Sequence, residues 1–150
     1  MEFLFEKYDD YTATLLECKL NEGETEVVIP EVYDSLYIVT EIGINAFSNC
    51  VGLMSVEIPN TVLSIKKNAF YGCKGLTEVT IPDSVTAIGQ YAFYACSGLT
   101  EVTIGSGVTT IGSSAFYGCK GLTSIVIPDA VTVIGSDAFR NCSGLTDVTI

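Results

Sequence analysis

The chain of 150 residues contains no histidine and no tryptophan, and lysine and arginine together occupy only seven positions. Without histidine, the most common general base and the most common metal ligand are both missing. The 18 acidic residues give a net charge of −11. This balance disfavours a nucleic-acid partner and an anionic membrane surface, because both require clustered positive charge.

Long apolar segments are also missing. The stretch 102–119 carries no charge, but glycine and serine interrupt it repeatedly, so we expect no membrane insertion. At the N-terminus, acidic residues stand where a secretory signal would carry positive charge. We therefore expect either a cytosolic chain or one whose signal has been removed.

The chain does contain an internal repeat of 23 residues. One column of the aligned repeats holds phenylalanine and another holds cysteine, and five further columns hold leucine, valine or isoleucine. A period between 20 and 29 residues, with a leucine followed by spaced aliphatic residues, is the signature of a leucine-rich solenoid. The phenylalanine and cysteine columns are Phe47, Phe70, Phe93, Phe116 and Phe139, and Cys50, Cys73, Cys96, Cys119 and Cys142.

Each repeat can be divided into three segments, as in residues 76–96. The alternation in 78–81 predicts a short strand, 85–88 predicts a second short extended segment, and the helical spacing in 92–96 predicts a one-turn helix. No coil can bury its apolar residues alone. We expect the coils to stack, with their strands in parallel, as an α/β leucine-rich repeat solenoid.

The repeat also divides the chain. Residues 1–25 do not fit it and alternate around a turn, which predicts an N-terminal β-hairpin cap. Residues 26–150 form the solenoid, with about five coils, a loop between residues 30 and 39, and an incomplete last coil. We expect an open C-terminal edge that pairs with further repeats or another subunit, in a fragment of a longer protein.

The cysteine column predicts buried free thiols. Equivalent residues of successive coils stack roughly 5 Å apart with parallel side chains, whereas a disulfide requires side chains that face each other. Cys18 lies outside the column and has no assigned role. We expect no metal site and no cofactor, and with no histidine to act as a base we expect no enzymatic activity.

From residue 27 to 150, the pattern L-x-x-V-x-I-P-x-x-V-x-x-I-G-x-x-A-F-x-x-C resembles the BspA-like (Treponema-pallidum-type) leucine-rich repeat family. The resemblance implies a curved, right-handed solenoid, usually part of a large cell-surface or secreted protein. It also implies a role in adhesion to host or matrix proteins or in aggregation between cells, with no shared catalytic residues. The absence of a signal segment departs from this pattern.

The outward residues of the strands are the first candidate partner-binding surface. They form an acidic, threonine-rich stripe that would suit a basic protein partner, although exposed strands also favour threonine and acidic residues supply solubility. The candidate residues are Glu57, Glu78, Thr80, Glu101, Thr103, Ser124, Val126 and Asp147. The secondary candidate is the column Tyr71, Tyr94 and Tyr117, for which stacking along the solenoid is the competing explanation.

Two hypotheses for the function follow. The first is a non-catalytic protein-binding module of a cell-surface or secreted adhesin. The second is a structural spacer or stalk that presents other domains and has no ligand of its own.

Overall fold

A computed structural model describes all residues, 1–150, and consists of strands and turns. It contains no helix long and apolar enough to cross a membrane. The fourteen strands, in chain order, are β1 (Glu2–Lys7), β2 (Thr12–Lys19), β3 (Glu26–Val28), β4 (Val32–Tyr33), β5 (Tyr37–Ile42), β6 (Ser55–Glu57), β7 (Ser64–Ile65), β8 (Glu78–Ile81), β9 (Ala87–Ile88), β10 (Glu101–Ile104), β11 (Thr110–Ile111), β12 (Ser124–Val126), β13 (Val133–Ile134) and β14 (Asp147–Thr149).

The second extended segment of each coil builds the largest sheet. Its order is β1-β2-β5-β7-β9-β11-β13, with β4 also paired to β5. From β5 onward the strands are parallel and in register, so that Ile65, Ile88 and Ile111 are successive partners. This confirms the predicted second segment and the stacking of equivalent residues.

The first strand of each coil forms the other surface, which we call the strand face: β3, β6, β8, β10, β12 and β14. These six strands mark six coils, so the sequence-based count of about five was too low, because the first coil is irregular and the last includes only its first strand. The strand face is also not one continuous ladder. It is divided into three parallel pairs, β3–β6, β8–β10 and β12–β14.

A single core cluster of 37 buried residues runs through the coils. At its centre the phenylalanine rings stack face to face, with centroids 4.8, 5.0, 5.2 and 5.4 Å apart and interplanar angles of at most 8°. This spacing is close to the distance between adjacent strands. The strand spacing therefore sets the spacing of the rings.

The predicted one-turn helix is wrong. The A-F-x-x-C segment is a run of turns in which alternate amides leave the coil: Phe70 N donates to Ala92 O of the next coil at 2.7 Å, whereas Ala69 N donates to Lys66 O. Each segment also contains two residues with φ between +54° and +72°, such as Asn68 and Gly72. Left-handed residues interrupt a right-handed helix, and the amides that a helix would use internally bind the neighbouring coil.

The glycines that end the second extended segment are needed for close packing between coils. Neither Gly89 nor Gly112 has a positive φ, so the backbone conformation does not require glycine there. A Cβ atom at Gly89 would lie 2.6 Å from Lys66 C, and one at Gly112 would lie 2.6 Å from Gln90 N. Backbone of the preceding coil occupies the space that a side chain would need.

The N-terminal hairpin β1–β2 is antiparallel and continues the large sheet through β2–β5. The predicted loop between residues 30 and 39 is instead a second hairpin, β4–β5, with Asp34 and Ser35 at positive φ. Cap and solenoid share one sheet and one core, which includes Leu15 and Cys18. The division at residue 25 therefore stays a prediction.

Glu41 connects the cap to the second coil. Its carboxylate lies 2.8 Å from Lys66 Nζ and accepts hydrogen bonds from Ser64 and from the buried Thr14, each at 3.1 Å. Burial favours the protonated acid, but Lys66 and the two hydroxyls outweigh it and hold the pKa of Glu41 below its usual value.

Replacement of Phe93 by alanine should lower the free energy of unfolding by about 3–5 kcal/mol, the range for a fully buried aromatic ring. Phe139→Ala is the matched control, because Phe139 stacks on one neighbour only and is half-buried. Urea unfolding of both variants measures the difference. Equal losses would contradict a stack in which central rings are held from both sides.

Candidate binding surface

All eight candidate residues of the strand face are exposed. The side chains point outward because they alternate with buried residues such as Val79 and Ile81 in the same strand. Within β8–β10, Glu78 is paired with Glu101 and Thr80 with Thr103. Equivalent outward residues therefore lie side by side, as the repeat predicts.

A groove of about 660 Å³ lies on this face where the ladder is interrupted between β6 and β8. Its floor includes Val56 and Val79, and its walls include outward residues of both strands. Because β6 and β8 are not paired, their facing backbone groups are not used in a ladder between them. The groove therefore combines a small apolar floor with polar edges.

The groove is acidic and has no basic residue in its lining. Glu78 and Glu101 stand directly opposite each other in β8 and β10, and neither carboxylate is paired with a lysine or arginine. Like charges opposite each other on one face of a sheet are destabilising. A cation bound between them would relieve that repulsion.

Asp83 adds a fixed negative charge at the end of the groove. Its Oδ1 accepts hydrogen bonds from the Ser106 amide at 2.6 Å and from the Ser106 hydroxyl at 3.0 Å. These bonds stabilise the carboxylate and hold the pKa of Asp83 below its usual value. Asp83 is therefore ionised at neutral pH.

The groove includes four of the eight predicted residues, Glu57, Glu78, Thr80 and Thr103, together with the outward residues Glu26 and Val28 of β3. Glu101, Ser124, Val126 and Asp147 are on the same face but outside the groove. Sequence analysis missed Asn60 and Asp83, which also line it. The sequence does contain a signal for Asn60 and Asp83, because each directly follows the proline that ends a strand.

The tyrosine column is stacked, as the competing explanation predicted. Tyr71, Tyr94 and Tyr117 are half-buried and nearly parallel, with ring centroids 5.0 and 4.8 Å apart. The Asn141 side chain donates to the Tyr117 hydroxyl at 2.7 Å. Stacking accounts for the column, and partner binding by it stays a prediction.

All six cysteines are free thiols. In the second to fifth coils each Sγ donates to the carbonyl of the phenylalanine 26 residues earlier, as Cys96 does to Phe70 O at 3.1 Å. Cys18, which had no assigned role, is buried at the head of this column, where its carbonyl lies 3.8 Å from Cys50 Sγ. The thiols thus connect successive coils.

Burial raises the pKa of Cys18 to about 12 and that of Cys50 to about 11. The neighbouring Cys73 thiol, together with burial, raises the pKa of Cys96 well above its usual value. At Cys142 the direction reverses, because its interaction with the neighbouring Cys119 thiol outweighs burial and lowers the pKa of Cys142. No group of three or more cysteine and carboxylate side chains is placed to hold a metal ion.

Comparison with known proteins gives one matching family model, the BspA type leucine-rich repeat region, with six copies across residues 33–150. No curated protein matches the chain. Among solved structures, a T. pallidum leucine-rich repeat protein is 33% identical with a TM-score of 0.91, over 97% of this chain and 67% of that chain.

Two further structures are similar. A leucine-rich repeat protein from Bacteroides ovatus is 33% identical with a TM-score of 0.88, over all of this chain and 40% of that chain. A leucine-rich cell surface protein from Faecalibacterium prausnitzii is 31% identical with a TM-score of 0.63, over 97% of this chain and 52% of that chain. The chain therefore spans only part of these relatives.

Alkylation of the native protein at pH 8 should modify Cys142 first and leave Cys96 unmodified. The thiolate is the reacting form, and burial disfavours it at Cys96, whereas Cys142 is at the open end of the column. Peptide mass spectrometry after iodoacetamide treatment measures each site, with denatured protein as the control in which all six react. Equal rates at Cys96 and Cys142 in the native protein would contradict the buried column.

Proposed function

Because the chain belongs to the BspA-type leucine-rich repeat family, we propose that it is a non-catalytic protein-binding module whose strand face binds a basic segment of a partner protein. The supporting observation is the register of Glu78 with Glu101 on a face without a single lysine or arginine in its groove. A lysine or arginine side chain of a partner supplies the missing counter-charge. The apolar floor at Val56 and Val79 accommodates the methylene part of such a side chain.

We further propose that this module is part of an adhesin at the cell surface or in a secreted protein, where it binds host or matrix proteins or mediates aggregation between cells. The similar protein from Faecalibacterium prausnitzii is described as a cell surface protein, which supports the location. Adhesion also suits the form of the site, because a repeated surface offers several weak contacts that act together.

The second candidate is a spacer that holds other domains away from a surface. The continuous core and the coil-to-coil hydrogen bonds support this role, since they make the solenoid stiff along its axis. A spacer needs no charge pattern on the strand face. A change of the charge on the strand face should therefore impair a binding module but leave a spacer unaffected.

Charge reversal at Glu78 and Glu101, as the double variant Glu78→Lys/Glu101→Lys, should abolish binding to an immobilised lysine- and arginine-rich peptide. Biolayer interferometry at low and at physiological salt measures the affinity, which should fall with salt for the unmodified protein. Thermal unfolding should change little, because one like-charge pair replaces another on the same exposed face.

The matched control is Glu2→Lys/Glu22→Lys, which makes the same change of net charge at exposed positions in and beside the hairpin. This control should keep most of the affinity. If both double variants bind equally well, the strand face is not the binding surface. If the unmodified protein binds neither the basic peptide nor immobilised matrix proteins, the spacer role is favoured.

A further inference from the structure

A second, shallow site lies beside the tyrosine column and shares no lining residue with the groove of the strand face. It measures about 400 Å³ and is lined by Lys67, Asn68, Tyr71, Tyr91 and Tyr94. Tyr71 and Tyr94 are stacked, and Tyr91 stands against Tyr94 at an angle of 78° with centroids 5.6 Å apart. We call these five residues the aromatic corner.

The backbone at Tyr91 is unusual. It occupies the first left-handed position of its turn segment, with φ +57°, and the same position in the other coils is taken by Asn45, Asn68, Ser114 and Asp137. Asparagine and aspartate tolerate this conformation, because their short polar side chains bond locally, whereas a bulky residue there is an outlier. The Tyr91 side chain is only half-buried and is not part of the core.

Strain of this kind persists where the surroundings impose it and is concentrated at functional sites. At Tyr91 the core does not demand an aromatic ring, since four other coils stack equally well without one. The tyrosine at this position adds a second aromatic plane, which is nearly perpendicular to the stacked ring of Tyr94. This plane closes one side of the aromatic corner.

The polar groups of the aromatic corner are free of partners within the chain. Neither the Lys67 ammonium, the Asn68 amide nor any of the three tyrosine hydroxyls makes a side-chain hydrogen bond or ion pair. The Lys67 ammonium has no ion-pair partner, whereas that of its neighbour Lys66 is paired with Glu41. Burial and the neighbouring tyrosine hydroxyls raise the pKa of Tyr94, so its hydroxyl stays protonated and able to donate.

We infer that the aromatic corner binds one carboxylate-bearing sugar ring, of the uronic-acid class, whose single negative charge matches the single lysine of the site. A pyranose ring has a C–H face that packs on an aromatic plane and a rim of hydroxyls that hydrogen-bond to tyrosine and asparagine. The carboxylate of the sugar pairs with Lys67. The volume of the site lies in the range of small-molecule sites, about 300–1,000 Å³.

A proline-rich peptide is the competing occupant of an aromatic-lined groove. Such a peptide packs in apolar slots and has no negative group for Lys67 to bind, so it leaves the cation and the amide of the aromatic corner unused. The sugar assignment is separate from the proposed protein-binding function, since it concerns another surface and a ligand of opposite charge.

The test is a titration of the protein with trigalacturonate, with neutral galactotriose and a proline-rich peptide as parallel probes, followed by aromatic NMR shifts. Trigalacturonate should shift the Tyr91 and Tyr94 signals and bind about tenfold more tightly than galactotriose. Lys67→Gln should remove most of this preference while leaving the weak binding of galactotriose unchanged.

Tyr91→Asn restores the residue found at two equivalent positions. It should raise the melting temperature, because it relieves strain, and at the same time abolish the binding of trigalacturonate. Ser114→Asn is the matched control, since it makes an equivalent left-handed position asparagine one coil away and should leave binding intact. A loss of binding with a gain in stability cannot be attributed to misfolding.

Three results would overturn the inference. They are the absence of shifts at Tyr91 and Tyr94 with trigalacturonate, undiminished binding by Tyr91→Asn, and tighter binding of the proline-rich peptide or of galactotriose than of trigalacturonate. None of these results bears on the strand face, because the basic peptide that tests it is not used here.

Discussion

The hydrogen bonds between one coil and the next are the constraint on which the structure depends. Inside the turn segment, Phe47, Phe70, Phe93 and Phe116 each donate their amide to the next coil at 2.7 to 2.8 Å. The parallel strands of the large sheet are also hydrogen-bonded from coil to coil. Held at both places, neighbouring coils keep the spacing of a β-sheet, and every side chain must pack against its own counterpart roughly 5 Å away.

This constraint explains the composition of each column. Flat phenylalanine rings stack well at that distance, and a cysteine fits because its thiol donates to a carbonyl of the preceding coil. Threonine columns on the surface behave similarly, as Thr100 and Thr109 donate to the carbonyls of Thr77 and Thr86. The glycine column is required where two backbones meet. In the core, identical residues at equivalent positions of successive coils therefore pack well against one another.

On the surface the same geometry brings like charges together, and there it offers no packing advantage. Glu78 opposite Glu101 is a cost that the stacking imposes, and it makes the strand face receptive to positive charge. Tyr91 is the opposite case, a departure from its column that the stacking does not require. The repeated glutamates thus mark one surface, the acidic strand face. The departure of Tyr91 from its column marks a second surface, the aromatic corner with its lysine.

Much of this architecture could be predicted from the period alone. The 23-residue repeat assigns Phe93 and Ile88 to columns of equivalent residues. It places these columns in the core, whatever the local conformation of the chain is. The helix at 92–96 was wrongly predicted because residues three or four positions apart share a face in successive turns as well as in a helix. Which amides bind the next coil depends on left-handed residues, and Tyr91 and Ala95 give no sign of that conformation in the sequence.

The interruption between β6 and β8 could not be predicted from the sequence either, because both strands follow the same repeat as the strands that are paired. The eight candidate residues could be named from alternation, but the groove that selects four of them could not. The aromatic corner was missed for a related reason. Lys67, Asn68 and Tyr91 are in different columns and come together only in the folded coils.

Native-state hydrogen exchange at single-residue resolution tests the stacking of coils most directly. If successive coils are joined through their turn segments, the amides of Phe70, Phe93 and Phe116 exchange only with global unfolding and are among the slowest in the protein. The amide of Asp9, in the exposed hairpin turn, makes no hydrogen bond within the chain, so it exchanges rapidly and sets the reference. Exchange of the phenylalanine amides at the rate of the Asp9 amide would contradict the stacking of coils.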